Sequence, residues 1–121
     1  MYMVVENVIS LVNNLFYVGI PDVFESKVPK KVTLSQEIPL KVYKITCGAM
    51  HTLVLTNLGR VYSFGCADRG VLGREGDSEP RLIDNIKYPI TDISAGDVHS
   101  IAYNLEENLV YRWGVYRVIE I

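Results

Sequence analysis

The segment Ile45-Thr46-Cys47-Gly48-Ala49-Met50-His51-Thr52 returns 48 residues later as Ile93-Ser94-Ala95-Gly96-Asp97-Val98-His99-Ser100. Each copy continues through an apolar stretch and a polar turn into a second stretch ending aromatic-glycine. These endings are Val61-Tyr62-Ser63-Phe64-Gly65 and Leu109-Val110-Tyr111-Arg112-Trp113-Gly114. From Gly65 to Gly114 the offset is 49, so the intervening hairpin has gained one residue. An eroded third copy opens the chain, where Leu15-Phe16-Tyr17-Val18-Gly19 falls 46 residues before Val61 to Gly65. A period in the high forties restricts the chain to stacked units, each a small sheet that cannot bury its own face alone.

The units read as β-structure. Thr52-Leu53-Val54-Leu55 and Val61-Tyr62-Ser63-Phe64 are β-rich runs joined by Thr56-Asn57-Leu58-Gly59-Arg60, where Asn and Gly make positive φ cheap. Ser100-Ile101-Ala102-Tyr103 and Leu109-Val110-Tyr111-Arg112 flank residues 104–108 in the same way, and strands over 42–45 and 90–93 lead into the two Gly-x-x-His turns. No window of a dozen residues keeps apolar positions at helical spacing. The expected fold is all-β: a partial β-propeller of about two and a half four-stranded antiparallel blades, since propellers close with about 4 to 8. Its repeats run over about 1–32 (eroded), 42–83 and 90–121, and the rest of the ring is expected from another chain or from further copies. The connectors 20–27 and 66–79 are read as surface loops, where binding chemistry tends to collect.

Composition narrows the function. The chain is 49% hydrophobic and 21% charged, too rich in core formers for a disordered segment. A net charge of -2 with scattered Lys and Arg gives no nucleic-acid footprint. The one basic cluster, Lys27, Lys30 and Lys31, reads as a solvated loop or edge. Cys47 and Cys66 stand 19 residues apart without a C-x-x-C, which argues against a metal site or disulfide and fits a reducing compartment. The apolar run from Val8 to Ile20 is broken by Asn13-Asn14 and falls short of the roughly 20 residues a span needs, so it is read as two strands and a turn, with no membrane partner.

His51 and His99 occupy one slot in successive repeats, so their imidazoles are expected to hydrogen-bond backbone within the turn. A base or nucleophile would need an orienting partner, and only Thr52 and Ser100 repeat beside them, as strand starts. Gly48, Gly65, Gly70, Gly73, Gly96 and Gly114 are read as the structural signature of tight turns. Gly65 to Gly70 has the spacing of a phosphate loop, but Val71 stands where the lysine belongs; no nucleotide, other cofactor or metal is expected. Tyr62, Phe64, Tyr111 and Trp113 alternate as core residues do. Asp97 differs: its slot holds Ala49 in the preceding repeat, so the unit does not need a carboxylate there to fold.

The run Gly48-Ala49-Met50-His51-Thr52, then Gly59-Arg60-Val61-Tyr62-Ser63-Phe64-Gly65-Cys66, then Asp68-Arg69-Gly70-Val71-Leu72-Gly73-Arg74, resembles the repeat of the regulator of chromosome condensation family. The resemblance implies a propeller seven-bladed when complete, whose Gly-x-x-His loops gather on one face and grip the small GTPase Ran, releasing its nucleotide without covalent chemistry. It implies GTPase contacts at Asp97, His99, Met50 and His51, with Val115, Tyr116 and Arg117 starting a wedge beside the nucleotide site. It also implies nuclear localisation (otherwise cytoplasmic) and a weak histone or chromatin contact. The alternative from another functional class is a repeat scaffold for some other protein, such as a ubiquitin-ligase or cytoskeletal partner, without exchange activity.

Overall fold

The computed structural model describes residues 2–5, 8–11, 30–32, 34 and 41–115. At the N-terminus β1 (Tyr2–Val5), β2 (Val8–Leu11) and β3 (Lys30–Val32) form a three-stranded sheet in the order β2-β1-β3. β1 runs antiparallel to β2 but parallel to β3, which departs from the expected all-antiparallel blade. Parallel pairing needs a crossover of a dozen or more residues, and the stretch between β1 and β3 is long enough to provide one. Leu15 to Gly19, the eroded repeat signature, lies outside the described residues.

The first full repeat is a four-stranded antiparallel sheet of β4 (Val42–Cys47), β5 (His51–Thr56), β6 (Val61–Gly65) and β7 (Arg81–Leu82), paired in that order. The second repeat gives β8 (Asp92–Ala95), β9 (His99–Asn104) and β10 (Leu109–Gly114), again antiparallel and in sequential order. The strand expected over 90–93 thus begins at Asp92. Its chain enters the sheet only after Ile90 N has bonded Gly59 O at the far end of the neighbouring sheet.

The two hairpins solve one steric problem with different residues. Gly59 takes φ +76 between β5 and β6, and Asn108, 49 residues later, takes φ +56 between β9 and β10. Asn tolerates the left-handed region better than other residues with a Cβ, so it replaces the glycine. Side-chain oxygens brace both loops. Thr56 Oγ1 accepts from Arg60 N at 3.2 Å, and Asn104 Oδ1 accepts from Glu107 N at 2.6 Å.

The core lies between these sheets. Leu53, Leu55, Val61 and Ile83 of the first meet Ile93 and Ala102 of the second, with Ile90 from the connection and Ile86, Ala95, Tyr111 and Trp113 closing the margin. Each fully buried aliphatic side chain contributes about 1.5 to 3 kcal/mol, so this seam is the main reason the repeats stay stacked. Across it Lys44 Nζ reaches Asp92 Oδ1 at 2.6 Å, joining equivalent positions of consecutive repeats. Lys44, with the amide of Ile93, holds the Asp92 carboxyl below the usual range. Both side chains stay about a third or more exposed, which limits the pair to about 1 kcal/mol.

The connector 66–79 is not purely a surface loop: Cys66, Val71 and Leu72 are buried. Its frame is Arg74, whose guanidinium donates to Ser63 Oγ at 3.1 Å, Ser63 O at 2.8 Å, Glu79 O at 2.6 Å and Asp77 O at 3.0 Å. Ser63 Oγ in turn donates to Leu72 O at 2.7 Å. One side chain thereby partners the backbone carbonyls of Ser63, Asp77 and Glu79.

Candidate protein-interaction site

The turns after β4 and β8 have one design. Gly48 N donates to His51 O at 2.8 Å, and Gly96 N donates to His99 O at 2.9 Å. The chain leaving the third strand closes over each turn: Cys66 N donates to Met50 O, and Val115 N donates to Val98 O, both at 2.7 Å. Gly65 and Gly114 lie beside His51 and His99 in the ladders, with Met50 O and Val98 O at 2.5 Å from where their side chains would begin. The two turns also touch each other. Ala49 N donates to Asp97 O at 3.3 Å, and a methyl group on Gly48 would overlap both Gly96 O and His51 Cε1. Met50, Asp97 and Val115 are therefore brought to the same end of adjacent sheets.

Exposure separates these residues. Asp97 is exposed, Val115 is 45% exposed, and Met50 and His99 are half-buried. His51 is 1% exposed, so its imidazole does not face a partner. Tyr116 and Arg117 lie outside the described residues. Among the described residues no group pairs with the Asp97 carboxylate.

The histidine expectation needs correction. His51 does not bond the backbone of its own turn; its Nε2 meets Ser100 Oγ of the next sheet at 2.8 Å. Ser100 donates its own proton to Val71 O at 3.0 Å, so the proton between His51 and Ser100 sits on Nε2. Among the described residues Nδ1 is buried without a hydrogen-bond partner, and burial lowers the pKa of the ring. Val71 O also accepts Trp113 Nε1 at 2.8 Å. The serine and tryptophan of one repeat thus converge on one carbonyl of the connector 66–79, and the histidine of the preceding repeat is joined to it through Ser100. Sequence reasoning took Ser100 for a strand start; the signal available was a hydroxyl directly after the histidine in both repeats.

Gly73 has φ +66 and lies 2.7 Å, measured from where its Cβ would be, from Trp113 Nε1, while Gly70 at φ +70 faces open space. Among the described residues no three His, Cys, Asp or Glu side chains gather to hold a metal ion. No helix of the described residues is long and apolar enough to cross a membrane. The arrangement offers an exposed carboxylate and apolar side chains on a braced rim, which is chemistry for binding a protein surface.

Residues 59–103 and 42–71 each match family profiles for the regulator of chromosome condensation (RCC1) repeat. The chain is 49% identical over 78 residues to the regulator of chromosome condensation of Drosophila melanogaster, covering 60% of this chain and 14% of that protein. With the human regulator of chromosome condensation the identity is 37% over 101 residues, covering 79% of this chain and 23% of the relative. A probable E3 ubiquitin-protein ligase of Homo sapiens, HERC3, is 31% identical over 84% of this chain and 10% of its own length. The chain therefore spans less than a quarter of each of these relatives. Yeast RCC1 (Prp20), solved with Kap60, superposes with a TM-score of 0.70 at 21% identity over 85% of this chain and 26% of that one. Prp20p of Saccharomyces cerevisiae, whose structure was described with its binding properties to Gsp1p and histones, gives a TM-score of 0.58 at 23% identity over 67% of this chain and 22% of that one. These likenesses give the fold: sheets of a β-propeller.

Proposed function

The chain belongs to the regulator of chromosome condensation repeat family, and from that premise we propose that it contributes blades to a guanine-nucleotide exchange factor for the small GTPase Ran. The repeats are those over 42–83 and 90–121, with an eroded unit over 1–32, completed into a ring by further blades. Exchange of this kind needs no covalent step. A factor that binds the nucleotide-free GTPase more tightly than the loaded form speeds release through that difference in affinity alone.

The observation that carries the reading is Asp97: an exposed carboxylate on a turn locked to its neighbour, in a slot where the first repeat has Ala49. Met50, His99 and Val115 lie at the same end of the two sheets, and Tyr116 and Arg117 follow as the start of a wedge. His51 serves the same surface from beneath, by fixing the turns. A nuclear location and a histone contact belong to this reading.

The test is release of fluorescent GDP from Ran by the complete ring containing this chain. Acceleration supports the exchange reading. An unchanged release rate transfers the chain to a second reading, a repeat scaffold for another protein, which the likeness to HERC3 over 84% of the chain favours.

A further inference from the structure

Asp97 has company at its end of the sheets. Cys66 N is bonded to Met50 O beside the first Gly-x-x-His turn, and Val71 O takes Ser100 Oγ and Trp113 Nε1 beside the second. The chain between these two anchors therefore bridges the turns. Cys66 and Val71 are buried, whereas Ala67, Arg69 and Gly70 between them are exposed. The 3₁₀ turn Asp68–Gly70 rests against β10, and Gly73 N closes it by donating to Gly70 O at 3.2 Å.

Arg69 stands on this bridge with φ 59 and ψ 18, in the left-handed region. Glycine or asparagine takes that conformation at little cost, but arginine has no short polar side chain to compensate it locally. Its neighbour Gly70, also left-handed at φ +70, has nothing within 4 Å of where a side chain would begin, so a partner's backbone can approach the turn closely. Counting on by the 49 residues that separate Gly65 from Gly114, the slot of Arg69 holds Val118, so the repeat does not prescribe an arginine there. Among the described residues no group pairs with its guanidinium, just as none pairs with the Asp97 carboxylate. An exposed cation kept against the local backbone preference, with no partner inside the described chain, is explained by a partner outside it.

We propose that Arg69 is a second charged contact on the rim that carries Asp97, and that it receives a carboxylate of the protein docked there. The partner surface then presents an acidic group to Arg69 and a basic or hydrogen-donating group to Asp97. Two opposite charges on separate turns fix the partner's orientation, since a reversed encounter would set like charges against each other. Arginine suits the role because its planar fork takes a carboxylate with two hydrogen bonds. Both ends of the bridge are anchored in the seam, so binding does not have to order it first. The inference rests on the exchange reading above and adds to it a residue and the sign of the surface that meets it.

The test uses the complete ring containing this chain and Ran loaded with fluorescent GDP. Arg69→Glu should slow GDP release about three- to tenfold at low ionic strength, and the deficit should shrink as salt is raised to about 0.5 M. Arg69→Gly should also slow release while leaving the melting midpoint unchanged or higher, because glycine relieves the left-handed backbone. An arginine with a purely structural role would lose stability and activity together. Release at the parent rate in Arg69→Glu would overturn the proposal and leave the exchange reading standing. A fall in the melting midpoint of Arg69→Gly that accompanies its loss of activity would overturn it too. A parent ring that leaves GDP release unchanged removes the exchange reading itself, and this inference with it.

Discussion

His51 and Ser100 meet Nε2 to Oγ at 2.8 Å, 49 residues apart in the chain and buried in the seam between two sheets. The pair ties the turn that ends β4 to the strand that begins beside Asp97, with Val71 O as the common acceptor behind it. Stability of the seam and placement of the exposed carboxylate therefore depend on the same contact.

Removing the hydroxyl isolates the ring. Ser100→Ala takes away the partner of His51 Nε2 inside the seam, and it should destabilise the chain by about 1 to 3 kcal/mol in urea denaturation. Ser100→Thr keeps the hydroxyl and should recover most of the loss. Equal behaviour of the two variants would remove the hydrogen bond from the account.

The same ring makes stability depend on pH. Burial lowers the His51 pKa below its ordinary 6.5, so the folded chain resists a proton that the unfolded chain accepts. Stability from this group is complete above about pH 6.5 and falls as pH drops toward the lower folded value. Denaturation midpoints followed from pH 7.5 to 5 should show the decline, and His51→Gln should flatten it. A slope that survives in the variant assigns the effect to another group.

Two glycines should respond to alanine for different reasons. Gly48→Ala drives a methyl into Gly96 O and the His51 ring, an overpacked contact that should cost about 1 to 3 kcal/mol or more. Gly70→Ala meets nothing within 4 Å and pays only for its left-handed backbone, about 1 kcal/mol. Thermal melts that reverse this order would contradict the close approach of the two turns.

Arg74→Lys keeps the charge but loses the planar fork that satisfies Ser63, Asp77 and Glu79 at once. Limited proteolysis should cut the variant within 71–80 several times faster, with the sheets still intact. Unchanged cleavage would mean that Val71 and Leu72 anchor the connector unaided.

Asp97→Ala should leave the melting midpoint unchanged, because the carboxylate is exposed and unpaired among the described residues. In the complete ring it should weaken productive engagement of Ran by about 1 to 3 kcal/mol, read as slower GDP release. Full activity in the variant would take the GTPase contact away from this turn.

The 48-residue echo alone determined the stacking of small sheets, their strand pairs and the Gly-x-x-His turns, because local β-propensity and turn chemistry repeat with the sequence. It also singled out Asp97, since a residue that breaks a repeat is visible by comparison with its own counterpart, Ala49. Three things were beyond its reach: the parallel pairing of β1 with β3, the burial of Val71 and Leu72, and the turning of His51 toward Ser100 instead of its own backbone. Each is a relation between segments distant in the chain. Strand periodicity says which side chains share a face, but only the packing of one sheet on the next decides which buried polar atoms come within reach of one another.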